Sequence, residues 1–108
     1  MYIEFKNNKI KKICNNFDKA KAKYNLKVAN NLIKRLNEIR ASDNFKIFRS
    51  LKIHRCHKLS GEYKGKFVVD LNYQFRLIFS IIIDSNFDNT DYEKVLGVIV
   101  EEVIDYHD

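Results

Sequence analysis

The sequence predicts an α+β domain, because apolar residues recur at helical spacing through its first half, alternate with period two through its second, and the alternating runs are joined by short turns. The first element is a short strand, Tyr2 to Phe5. Asn7-Asn8 then opens a helix in which Ile10, Ile13, Cys14 and Phe17 mark one face and lysines the other. Asp18 is placed as the N-cap of a longer helix reaching Arg40. There Leu26, Ala29, Ile33 and Leu36 form an apolar stripe that Val28, Leu32 and Ile39 broaden. Ala41-Ser42-Asp43-Asn44 ends that helix, and Phe45 to Lys52 has no decisive period. From Ile53 onward four strands are expected: Ile53 to Leu59, Lys66 to Leu71, Phe75 to Ile83 and Val95 to His107. Their short connections favour an antiparallel meander ending in the C-terminal strand, with the two helices packed on one face.

A chain of 108 residues supports one domain, here residues 1–108, and 45% hydrophobic residues with eight Phe and six Tyr suffice for its core. There is no Pro and there are only three Gly, so no linker or low-complexity stretch divides it. Met1-Tyr2-Ile3-Glu4-Phe5 lacks the pattern of a secretion signal and no apolar run is long enough to cross a bilayer, so the cytoplasm is the expected location. Cys14 and Cys56 show no metal-ligand spacing and are read as reduced thiols. His54 and His57, on an extended segment, would point to opposite faces, and neither a metal nor another cofactor is expected.

Charge is distributed unevenly. Residues 1–66 hold 18 Lys/Arg against 5 Asp/Glu, whereas residues 67–108 hold 2 against 9. So basic a first half points to a polyanion, RNA or DNA, because each neutralised phosphate releases counterions. Lys19, Lys23, Lys27 and Lys34 would lie along one helical ridge able to follow a phosphate backbone, although such a ridge is also what an ordinary solvated helix face looks like.

Alternation in Phe75 to Ile83 leaves Arg76 on the face opposite Phe75, Leu77 and Phe79, as a lone cation in an apolar strand. In the last strand it puts Tyr106 with Leu96, Val98, Val100 and Ile104, and turns Asp105 and His107 the other way with Val103 and Glu101. His57, Arg76 and His107 would then meet on the face away from the helices, with Asp105 and Tyr106 at its edge. Such a set suits metal-free RNA cleavage: a base takes the ribose 2′-OH proton, a cation stabilises the phosphate, and an acid protonates the departing oxygen. Histidine serves either proton transfer, since its unperturbed pKa lies near neutrality.

The run from His57 to Phe67, HKLSGEYKGKF, followed by Phe75-Arg76-Leu77-Ile78-Phe79 and a closing Asp105-Tyr106-His107, resembles the HigB branch of the RelE/ParE toxin superfamily over nearly the whole chain. The resemblance implies a RelE-like toxin of a type II toxin–antitoxin system. It would be a ribosome-dependent mRNA endoribonuclease, or mRNA interferase, that arrests growth and is neutralised by a HigA-like helix-turn-helix antitoxin. The toxin alone would be a monomer and its complex a heterotetramer. His57, Arg76, Asp105, Tyr106 and His107 match the family's site: Arg76 as phosphate clamp, Asp105 as orienting carboxylate, Tyr106 as a base-stacking or packing group, and the two histidines sharing the acid and base roles in an order left open. Ser60 stands where the family has lysine, and Lys58, Lys64 or Lys66 would supply the missing charge. Two alternatives remain on the same fold, a ParE-like gyrase poison and a non-catalytic RNA-binding module.

Overall fold

The computed structural model describes residues 1–106. Its elements are β1 (Tyr2–Phe5), α1 (Asn8–Cys14), α2 (Phe17–Lys23), α3 (Leu26–Ala41), α4 (Phe45–Ser50), β2 (His57–Lys58), β3 (Phe67–Asp70), β4 (Phe75–Ile82) and β5 (Gly97–Asp105). Single 3₁₀ turns occupy Lys52–His54, Gly61–Tyr63 and Tyr92–Lys94.

All four α-helices begin on an asparagine whose side-chain oxygen accepts a backbone N–H three residues on. Asn7, Asn16, Asn25 and Asn44 cap Ile10, Lys19, Val28 and Ile47 in turn. This explains why the expected helix from Asp18 to Arg40 is instead two. Asn25 has extended backbone (φ −175°, ψ 176°), so the chain breaks after Tyr24 and restarts at Leu26, and Asp18 lies within the first turn of α2 rather than at its cap. The undecided stretch from Phe45 becomes α4, because Phe45 and Phe48 fall on one side of a single helical turn and both are fully buried.

The sheet has order β1-β5-β4-β3-β2. β2 through β5 form the expected antiparallel meander, but β1 pairs parallel to β5, so the sheet is mixed. The Tyr2 ring lies over Gly97 at that seam, where a Cβ would come within 2.3 Å of it, so a larger residue there would displace the ring. The strand expected over Ile53 to Leu59 contracts to His57–Lys58, and His54 lies in a 3₁₀ turn, fully buried, its ring stacked on Phe48 at 4.2 Å. His54 and His57 are therefore not the opposite-facing residues of one strand that the sequence predicts.

The helices cover one face of the sheet. Val28, Ala29, Leu32, Leu36 and Ile39 of α3 share a core with Val69, Leu77, Phe79, Val98 and Val100. Phe45 sits at its centre, edge-on to Phe67 at 4.7 Å, Tyr92 at 5.1 Å and Phe79 at 6.0 Å. The other face is not open throughout. Val68 and Ile78 point away from the helices yet are fully buried, because the β2–β3 connection folds over them and the Tyr63 hydroxyl reaches across to donate to Glu102 on β5 at 2.9 Å.

One residue of β5 changes the parity of everything after it. Ile78 faces Glu102 while Phe79 faces Val100, so Glu101 is the extra residue of a bulge. Val98 and Val100 face the helices as alternation predicts. Beyond the bulge the sides exchange: Val103 packs against the helical core, and Ile104 lies opposite Arg76 on the far face. The expected grouping of Ile104 and Tyr106 with Val98 and Val100 is thus corrected.

Candidate functional site

The face away from the helices brings Arg76, Tyr106 and His57 to one side of the sheet, Arg76 at the start of β4. Arg76 pairs with Asp70 on one side and Ile104 on the other. Its guanidinium lies 3.5 Å from the centroid of the Tyr106 ring, and its Nε is 2.9 Å from Asp70 Oδ1. That contact is an ion pair without hydrogen-bond alignment, since both buried atoms lack a hydrogen-bond partner. With its side chain only 13% exposed, Arg76 is held by a carboxylate at its edge and an aromatic face beneath it. Tyr106 itself is half exposed, and its backbone N–H donates to Gln74 O at 2.7 Å, fixing it over the β3–β4 turn.

His57 shares this face, because its partner Val68 and Arg76's partner Asp70 alternate on β3. Two strands and two residues separate the α-carbons of His57 and Arg76, about 12 Å at usual sheet spacings. That distance lets two long side chains bracket a phosphodiester. His57 Nδ1 lies 3.0 Å from the carbonyl of Arg55. A carbonyl only accepts, so Nδ1 carries the proton in the neutral ring and Nε2 presents its lone pair. Arg55 adopts a left-handed conformation (φ 53°), the sole non-glycine with positive φ among the described residues, and its guanidinium Nε stands 3.6 Å from Asp70 Oδ2.

The remaining predicted residues separate. Asp105 lies opposite Phe75, on the helical side of the bulged strand, where its Oδ2 accepts from Gln74 Nε2 at 3.0 Å. His107 lies outside the described residues. Lys58 faces Phe67, on the side opposite His57, so the expectation that it stands in for the lysine at Ser60 is not met by β2. Lys66 is committed to Glu101, which also receives Ser80 and, at 3.7 Å, Lys6. Burial works to raise the Glu101 carboxyl pKa, but the hydrogen bonds of Lys66 and Ser80 and the charges of Lys66 and Lys6 outweigh it and hold the group below its ordinary range. Lys64 is exposed beyond the 3₁₀ turn that begins at Gly61, whose positive φ of 68° suits glycine. Lys19 and Lys23 on α2 and Lys27 and Lys34 on α3 are all exposed, but the break at Asn25 divides their ridge and the helical layer does not share Arg76's face.

Asp70, Arg55, Tyr63 and Glu102 are site residues that sequence reasoning missed. Asp70 had a usable signal, because a strand ending near Leu71 and a turn at Asn72-Tyr73-Gln74 place it directly across from Arg76. The other three depend on a loop crossing the sheet and have no local signature. The two thiols are no nucleophiles: burial pushes Cys14 and Cys56 each up to about 12, against the lowering charges of Arg40 and Arg49 respectively. Among the described residues no His/Cys/Asp/Glu group could hold a metal ion. A groove of about 1110 Å³ elsewhere is lined by β1, Lys6, Lys11, Lys66 and Glu101, not by His57, Arg76 or Tyr106.

No protein-family model and no curated protein matches the chain. A solved structure shares its fold. That structure is a chain of the YoeB–YefM complex from Staphylococcus aureus, with a TM-score of 0.58 at 17% identity, covering 100% of this chain and 98% of that one. Among the described residues no helix is long and apolar enough to cross a membrane.

Proposed function

We propose that this chain is the toxin of a type II toxin–antitoxin pair and acts as a ribosome-dependent mRNA endoribonuclease by metal-independent attack of a ribose 2′-OH. The observation that carries the reading is the juxtaposition on one sheet face of His57, with Nε2 presenting its lone pair, and Arg76, stacked on Tyr106. The fold likeness to a chain of a YoeB–YefM complex supports it, as does the resemblance of His57 to Phe67, Phe75 to Phe79 and Asp105-Tyr106-His107 to the HigB branch of the RelE/ParE superfamily.

In this reading His57 Nε2 takes the 2′-OH proton, the 2′ oxygen attacks phosphorus, and the bond to the 5′ oxygen breaks, leaving a 2′,3′-cyclic phosphate. Arg76 neutralises the charge that develops on the phosphate, and the half-exposed Tyr106 ring offers a contact to a base. His107, as acid, protonates the departing 5′ oxygen, whereas Asp105, turned to the helical side and bonded to Gln74 Nε2, takes no part on this face. A cation and a base spread along one sheet face, with Tyr106 half exposed beside them, suit a polymer substrate such as the mRNA held on a ribosome. The partner would be a HigA-like antitoxin carrying acidic groups that complement the basic helices. The lysines at positions 19, 23, 27 and 34, outside the cleaving face, would serve RNA or ribosome contact rather than chemistry.

The test is to map mRNA 5′ ends in a translating extract given the purified chain, beside His57→Gln and His107→Gln. Cuts in register with codons, lost in both variants, are expected. Growth arrest that survives His107→Gln without any cut transcript would favour the gyrase-directed alternative instead.

A further inference from the structure

We propose that Asp70 is an internal stand-in for the substrate phosphate, holding Arg76 and Arg55 in the free protein and displaced when a phosphodiester enters between them. The inference rests on the reading of this face as an RNA-cleaving site and adds a regulator to it. Asp70 gives one carboxylate oxygen to each guanidinium, Oδ1 to Arg76 Nε at 2.9 Å and Oδ2 to Arg55 Nε at 3.6 Å. Two arginines sharing one two-oxygen anion is the arrangement a phosphate would impose on the same pair.

Three features make the exchange feasible. The Asp70–Arg76 contact is close but misaligned, leaving Oδ1 and Nε buried without a hydrogen-bond partner, so a phosphate with more oxygens and freedom to orient can bond the guanidinium better. The Arg55 contact joins a side chain 69% exposed, where an ion pair contributes little. Neither backbone nor clamp needs to move with the carboxylate. The Asp70 carbonyl accepts from the buried Arg35 Nε at 2.9 Å, and Arg76 remains supported by the Tyr106 ring at 3.5 Å. Arg55 links the pair to the base, because its left-handed backbone presents the carbonyl that orients His57.

The consequence is selectivity. An internal anion lowers the affinity of the face for free polyanions, so abundant RNA in solution competes poorly, whereas RNA fixed at high local concentration on a particle displaces it.

The test compares wild type with Asp70→Asn for binding of a 2′-O-methyl RNA octamer, which offers phosphates but no nucleophile. The variant should bind about tenfold more tightly at low salt, and Asp70→Asn/Arg76→Gln should lose that gain. Equal or weaker binding by Asp70→Asn overturns the proposal. Should that variant not fold, wild type is titrated with inorganic phosphate while NMR follows Arg76 Nε–H and the Asp70 carboxyl carbon. Both signals moving with one midpoint support the exchange, and Arg76 moving alone, or neither moving, overturns it. Cleavage on translating ribosomes is measured in parallel. Tighter octamer binding with no cleavage by either protein leaves the exchange standing and removes the nuclease reading, whereas unchanged binding beside normal wild-type cleavage does the reverse.

Discussion

Replacing Arg76 with lysine separates charge from shape. Lysine keeps the positive charge but loses the planar fork, and its compact ammonium cannot lie flat on the Tyr106 ring as the guanidinium does at 3.5 Å. The lost stacking is worth about 1 kcal/mol for a pair whose aromatic partner is half exposed, and the ion pair with Asp70 is retained in part. For a domain of this size the melting temperature should therefore fall by about 4–8 °C. Catalysis should fall much further. Removing one well-placed donor to a developing anion costs about 10²–10³ in rate, and the surviving charge puts Arg76→Lys near the lower figure, about 2.7 kcal/mol in barrier. The assay is primer extension of a defined transcript in a translating extract, with cleavage rates taken well below the melting temperature of the variant. Cleavage within about threefold of wild type, accompanied by the expected melting shift, would refute the clamp and leave Arg76 as a structural partner of Asp70 and Tyr106.

Phe45→Ala empties the point where Phe67, Phe79 and Tyr92 converge, and should cost about 3–5 kcal/mol, most of the stability of a small domain. Chemical denaturation reads this directly, and a loss below about 1 kcal/mol would mean that α4 does not pack as described. Burial lowers the His54 pKa from 6.5, opposed by the Glu38 and Asp70 charges and the bond to the Phe48 carbonyl and assisted by Arg35. The unfolded chain then takes up a proton that the folded chain resists, so stability is full above about 6.5 and is lost as pH falls toward the folded value. Melting temperatures followed from pH 8 to pH 5 should decline more in wild type than in His54→Gln, and parallel curves would remove His54 as the cause.

The resemblance to the HigB branch points to His57 and Arg76, and alternation puts Arg76 on the face away from the helices, because its strand runs regularly from Phe75 to Ile82. The last strand was less legible. One extra residue, Glu101, has no sequence mark of its own, since a bulge arises from how a strand meets its neighbour, yet it moves Ile104 onto the face of Arg76 and turns Asp105 toward the helical side. The split between α2 and α3 was readable in principle, because Asn25 is a strong cap, but the apolar stripe on either side is continuous enough to hide it.

By itself the sequence determined the α+β class, the antiparallel meander and the face on which Arg76 stands, since local periodicity and short turns are properties of neighbours along the chain. Tertiary structure alone decided that β1 would join parallel to β5, that Tyr63 would cross the sheet to Glu102, and that Asp70 would stand between Arg55 and Arg76. A count of charge along the chain made the second half simply acidic. Folding brings those acids against the cations of the first half, because ion pairs form between residues close in space, whatever their distance in sequence.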